Sequence, residues 1–104
     1  VRLKKTKVYV SGKITGDPDY FNKFMRAAHE LRMKGYEVVN PVEVNFGREA
    51  DGWNACLRRD IAAMMSCDGI CLLPDWEDSR CAQLERTTAV AVGMEVMLYT
   101  DLVL

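Results

Sequence analysis

Two acidic side chains fall where helical spacing calls for apolar ones. Along Trp53–Ser66, the residues Leu57, Ile61, Met64 and Met65 keep the i, i+4, i+7, i+8 rhythm of a buried stripe. At about 100° per residue, Asp60 lies on the edge of that stripe toward Trp53, while Arg58 and Arg59 point outward. Along Ser79–Val92 a face of small residues, Cys81, Ala82, Ala89 and Val92, encloses Glu85. A carboxylate turned inward is costly unless it is paired or hydrogen-bonded. Asp60 is therefore a structural acceptor or a functional acid, and Glu85 is ion-paired to a basic neighbour or faces a ligand. Two inward acids on neighbouring helices suit general acid–base or nucleophilic chemistry.

A third cluster precedes them. The run VYVSGKITGD, residues 8–17, begins as a strand and breaks into Ser11, Gly12, Lys13, Ile14, Thr15 and Gly16. The glycines permit a sharp turn and a close approach of backbone to ligand, and Ser11, Lys13 and Thr15 supply donors. The spacing is neither that of a P-loop nor that of a dinucleotide-binding turn. On the residues alone, a loop that holds phosphate or sugar and an ordinary glycine turn both stand.

The elements that must position these groups alternate in type. Lys7–Val10 reads as a strand, Tyr20–Lys34 as a helix closed by Gly35, and Tyr36–Val39 as a strand stopped by Pro41. Pro41–Gly52 reads as a surface loop. Trp53–Ser66 follows as a helix, Gly69–Leu73 as a strand ended by Pro74, Ser79–Val92 as a helix with Ser79 as its N-cap, and Glu95–Tyr99 as a last strand. This order predicts an α/β fold: a Rossmann-like, flavodoxin-like three-layer sandwich around a parallel sheet of four to five strands, forming one domain over residues 1–104. Ligands in such sheets lie beyond the carboxyl ends of the strands. The segments to watch are thus 11–17, 41–52 and 74–79. Trp53 and Trp76 flank the last two, placed to stack on a base, to fill the core or to meet a second subunit.

Composition narrows the partners. Of 104 residues 49% are hydrophobic, yet no apolar run approaches the ~18 residues of a membrane span. A net charge of −1 provides no basic field for a polynucleotide, and Arg2, Lys4, Lys5 and Lys7 read as a solvated leader. A monomeric nucleotide remains compatible. With no secretory leader, a cytoplasmic location is expected. Cys56, Cys67, Cys71 and Cys81 form no CxxC pair, and the single histidine, His29, sits on the polar side of its helix. Free thiols, not a zinc site, are expected. A thin sheet with few covering helices leaves apolar surface to bury, which predicts a homodimer or a higher homo-oligomer.

Three segments, VYVSGKITG, RRDIAAMMSCDGICLL and SRCAQLERTTAVAVG, together resemble the signature segments of the nucleoside 2-deoxyribosyltransferase-like family. That family includes deoxynucleoside 5′-monophosphate N-glycosidases and small phage and bacterial members. The resemblance runs from about Lys7 to Tyr99. It implies that Glu85 is the nucleophile that attacks the anomeric carbon of the deoxyribose. Asp60, eight residues before Asp68, would orient the sugar or help protonate the leaving base, and Tyr9 would lie near the nucleophile. Ser11, Gly12, Lys13 and Ile14 match the loop that contacts sugar, base or phosphate. Ser79 stands where the transferases carry an aspartate and the nucleotide hydrolases a phosphate-holding serine, and Cys81 stands where relatives usually have glycine. The implied activity is cleavage, by hydrolysis or base transfer, of the N-glycosidic bond of a deoxynucleoside or its 5′-monophosphate, with no metal and no cofactor. A non-catalytic nucleotide-sensing module and a structural protein with ion-paired acids are the alternatives.

Overall fold

Val8, Val10, Ile70 and Leu72 alternate with Tyr9, Ser11 and Cys71 along two adjacent strands, and all are buried, which is the mark of a parallel sheet covered on both faces. The structure, a computed structural model, describes residues 5–103. Arg2 and Lys4 of the basic cluster lie outside the described residues. Of its other members, Lys5 is exposed and Lys7 lies 3.9 Å from the Glu37 carboxylate.

In chain order the elements are β1 (Lys7–Ser11), α1 (Tyr20–Met33), β2 (Glu37–Val39), α2 (Pro41–Val44), α3 (Trp53–Met64), β3 (Gly69–Leu72), α4 (Arg80–Ala91), β4 (Glu95–Leu98) and α5 (Tyr99–Val103). Short 3-10 turns occupy Glu49–Asp51 and Trp76–Asp78. The four strands pair in the order β2-β1-β3-β4, all parallel, with Tyr9 opposite Val39 on one side and Ile70 on the other. This is the expected Rossmann-like, flavodoxin-like sandwich, with four strands.

The period of two along each strand divides the core. Val8, Val10, Cys71 and Leu73 pack with Phe24, Ala27, Ala28 and Leu31 of α1, and α5 covers the same side. Tyr9, Ile70 and Leu72 face the other way, onto Met64 of α3 and Ala89 of α4. One consequence governs the site: residues 9 and 11 of β1 share the face toward α3 and α4, where the two inward acids lie.

Three local expectations are corrected. Pro41–Gly52 is not a plain loop, because Asn40 caps a helical turn through its Oδ1 to the Val42 amide (3.0 Å) and Pro41 opens that turn with its φ already set. The last strand stops at Leu98, and Tyr99 starts α5 instead of ending β4. Met65 and Val92, read as inward, are 45% and 57% exposed, since each lies at the C-terminal end of its helix, past the last turn that packs on the sheet. Ser79 caps α4 as expected, accepting from the Ala82 amide at 3.1 Å, and His29 is exposed.

Candidate functional site

The chain crosses between sheet faces at β1 and β3, the central strands, and a crevice opens beyond their carboxyl ends. Gly12 makes the first turn out of β1. A Cβ there would stand 2.8 Å from Leu73 Cδ1 and 3.1 Å from Asp75 Oδ1, so only glycine lets the two strand exits lie side by side. Gly16, at φ +85, completes the turn in a conformation other residues rarely adopt. Lys23 of α1 fastens this loop: its ammonium donates to the Lys13 carbonyl (2.7 Å), to Asp17 (2.5 Å) and to Asp75. Burial alone would lower the Lys23 pKa, but its two carboxylate partners hold it above the ordinary lysine value, and the same contact lowers that of Asp17.

The crevice is a cavity of about 520 Å³, within the ~300–1,000 Å³ of small-molecule sites. Tyr9, Gly12, Ile14, Ser79, Asp60 and Glu85 all line it. Its remaining wall is largely aromatic and aliphatic: Tyr20, Phe21 and Phe24 of α1, Val42 of α2, Phe46, and Trp53 and Leu57 of α3. Ser11 and Lys13 are not in the lining. Ser11 is fully buried behind Glu85, and Lys13 gives its amide to Asp75 Oδ1 at 3.0 Å.

Among the described residues, no basic side chain forms an ion pair with Glu85. Tyr9 Oη donates to its Oε2 at 2.8 Å and Ser11 Oγ donates to its Oε1 at 2.7 Å. Both donors come from alternate residues of β1, so the strand's own period of two aims them at α4. Only 4% of Glu85 is exposed, and burial, reinforced by the charge of Asp60, outweighs the two hydroxyls and pushes its pKa up to about 7. The Tyr9 hydroxyl, itself driven well above its usual range by burial and then by Glu85 and Asp60, stays a proton donor. Asp60 is also pushed up to about 7 by burial, against the opposing effects of an Asn45 hydrogen bond and the Arg59 charge. Two carboxyl groups with raised values thus open on one hollow, the mark of a candidate functional site.

The other cavity residues fill defined roles. Trp53 Nε1 donates to Cys81 Sγ at 3.0 Å, and the Arg80 guanidinium lies 5.2 Å from the Trp53 ring centre. Burial raises the Cys81 pKa, so the group beside Glu85 is a neutral thiol. Cys56 also lines the cavity, whereas Cys67 and Cys71 are buried in the core, and all four are free. Trp76 packs against the Tyr9 side of the core and under Arg86, away from the cavity. Asp68 accepts from the Lys7 amide at 2.8 Å and joins β3 to β1. A second hollow of about 390 Å³ adjoins the first, sharing Thr15, Trp53, Ser79 and Cys81 and adding Asp78 and Arg80.

Sequence reasoning passed over Asn45 and Phe46. The Asn40-Pro41 pair was the available signal, because a capped helical turn there delivers the next residues back toward the sheet.

The model of one family, described as "Domain of unknown function (DUF4406)", matches residues 6–98. The chain belongs to the DUF4406 family. Its matched span takes in the whole sheet and every cavity residue named above. No curated protein matches the chain. Among the described residues of this DUF4406 member, no group of three His, Cys, Asp or Glu side chains is placed to hold a metal ion, and no helix is long and apolar enough to cross a membrane.

Proposed function

We propose that the protein cleaves the N-glycosidic bond of a deoxynucleoside 5′-monophosphate, with Glu85 as nucleophile and Asp60 as the acid for the leaving base. The observation that carries this reading is the Glu85 carboxylate, without an ion pair among the described residues, held by Tyr9 and Ser11 at the floor of a cavity that Asp60 also lines. The resemblance of the three sequence segments to the nucleoside 2-deoxyribosyltransferase-like family supports the same roles for the same residues.

The chemistry follows from the groups. Breaking a glycosidic bond develops positive charge on the anomeric carbon and negative charge on the departing base. Glu85, ionised, bonds to that carbon as the base leaves, and the proton on Asp60 passes to the base nitrogen. The deoxyribosyl group is then carried as an ester of Glu85. Asp60, now ionised, takes a proton from an incoming water whose oxygen attacks the anomeric carbon, and the ester bond breaks to free Glu85. Tyr9 and Ser11 hold both oxygens of the nucleophile so that no rotation is needed at the moment of attack. The aromatic wall suits a base, and the adjoining hollow, with Thr15, Ser79 and Arg80 at the start of α4, suits the 5′-phosphate. That hollow supports a nucleotide over a nucleoside, and Ser79, where the transferases carry an aspartate, supports water over a second base as acceptor. Neither metal nor cofactor has a step in the scheme.

Incubation with the four common deoxynucleoside 5′-monophosphates, followed by chromatography of free base, tests the reading. Wild-type protein is expected to release base from at least one, and Glu85→Ala to release none while keeping its circular dichroism spectrum. Release from none of them, together with a ligand-dependent rise in melting temperature that survives Glu85→Gln, would instead identify a nucleotide-sensing module.

A further inference from the structure

Asp60 has two oxygens and only one of them is engaged by the described residues. Asn45 Nδ2 donates to Oδ1 at 2.7 Å, and no donor among the described residues meets Oδ2. The orientation of the Asn45 amide is dictated by its surroundings. Its nitrogen also donates to the Pro41 carbonyl at 3.1 Å, and its oxygen faces Arg59 Nη1 at 3.4 Å. Reversing the amide would set its oxygen against two acceptors and its nitrogen against a cation, which the hydrogen-bonding inventory forbids. Arg59 is in turn held by Asp51 Oδ2 at 2.7 Å, on the 3-10 turn that borders the cavity. Asn45 itself is 8% exposed and ends α2, so the whole relay is fixed by backbone that packs on α3.

We infer that Asn45 is a positioning residue that keeps Oδ1 of Asp60 as an acceptor and so places the transferable proton on Oδ2, the oxygen free to meet a leaving base. The inference rests on the enzymatic reading above. The hydroxyl oxygen of a protonated carboxyl is a weaker acceptor than its carbonyl oxygen, so the bond from the amide favours Oδ1 as the carbonyl and Oδ2 as the oxygen that carries the proton. The same bond favours the ionised form that Asp60 adopts after donation. Arg59, on the same helix, also favours the ionised form of Asp60, and the charge of Asp60 in turn raises the pKa values of Glu85 and Cys81 on α4 and of Tyr9 on β1. Among the described residues, the hydrogen bond to Asp60 comes from Asn45 alone.

The test is a carbon-13 titration of the Asp60 carboxyl beside the pH profile of base release, in wild type, Asn45→Ala and Asn45→Asp. Asn45→Ala removes a bond to the charged form, so Asp60 is expected to titrate about half a pH unit or more higher, with the descending limb of the profile moving up alongside it. The rate at the optimum is expected to fall about 10- to 100-fold at nearly unchanged KM. Asn45→Asp keeps the side-chain shape while replacing the donor with an acceptor, and is expected to shift the titration further in the same direction. It serves as the check should the alanine variant fold poorly. An Asp60 titration unmoved in folded variants overturns the inference, as does a moved titration with an unmoved rate and profile. Should wild-type protein release no base, the enzymatic reading falls on its own, while the titration still decides whether Asn45 governs Asp60.

Discussion

Glu85 and Asp60 owe their raised pKa values to burial, and each does opposite work in the proposed reaction. Glu85 must be ionised to attack, so the rate rises with pH through about 7; Asp60 must be protonated to donate, so the rate falls above about 7. A narrow bell centred near pH 7 is the expected profile of kcat/KM for base release. Ser11→Ala and Tyr9→Phe each remove a donor to ionised Glu85, and each is expected to move the ascending limb up by roughly half to one pH unit. The same burial acts on stability. Between its ordinary value of 4.5 and about 7, Glu85 is protonated in the folded chain and ionised in the unfolded one, so the folded state loses stability as pH rises through that window. Glu85→Gln removes this penalty. Denaturant unfolding at pH 8 is expected to show the variant more stable by about 1–3 kcal/mol, and at pH 4 the difference should vanish.

At the scale of elements, the site depends on two strand exits lying against each other. Gly12→Ala forces a methyl to within 2.8 Å of Leu73 Cδ1, and is expected to lower stability by about 1–3 kcal/mol and to slow base release, read by thermal unfolding and chromatography together. Much of this arrangement was legible in the sequence. The buried strands announced themselves as apolar runs bounded by glycine and proline, and Asp60 and Glu85 stood out because each broke a helical pattern that the sheet imposes. What holds the acids was less legible. Ser11 read as a ligand contact because it offers a donor at a strand end beside Gly12, but the pleat of β1 turns its hydroxyl onto Glu85 of α4. Asn45 was hidden in a segment read as loop, since a four-residue helix has too short a period to register as one. Met65 and Val92 misled because helical spacing says which face a residue lies on and nothing of where the packing ends.

Among the described residues, the sheet ends in an exposed apolar edge. β4 is an edge strand whose Val96 and Leu98 are 38% and 44% exposed, and Leu84, Val90 and Val92 of the α4 region are exposed beside it. Edges of this kind are ordinarily paired or covered. We extend the proposal to assembly as a homodimer or higher homo-oligomer through this edge. Sedimentation equilibrium is expected to give at least twice the 11.8 kDa chain mass, with Val96→Lys and Leu98→Lys together returning it to monomer; a wild-type monomer at all concentrations would end the assembly claim. The central claim concerns Glu85 alone. Its most direct test is rapid acid quench of the protein turning over a deoxynucleoside 5′-monophosphate, followed by mass spectrometry of its peptides. The account predicts a deoxyribosyl phosphate group on the peptide that contains Glu85, absent from Glu85→Gln. The group on any other residue, or undiminished base release by Glu85→Gln, would contradict it.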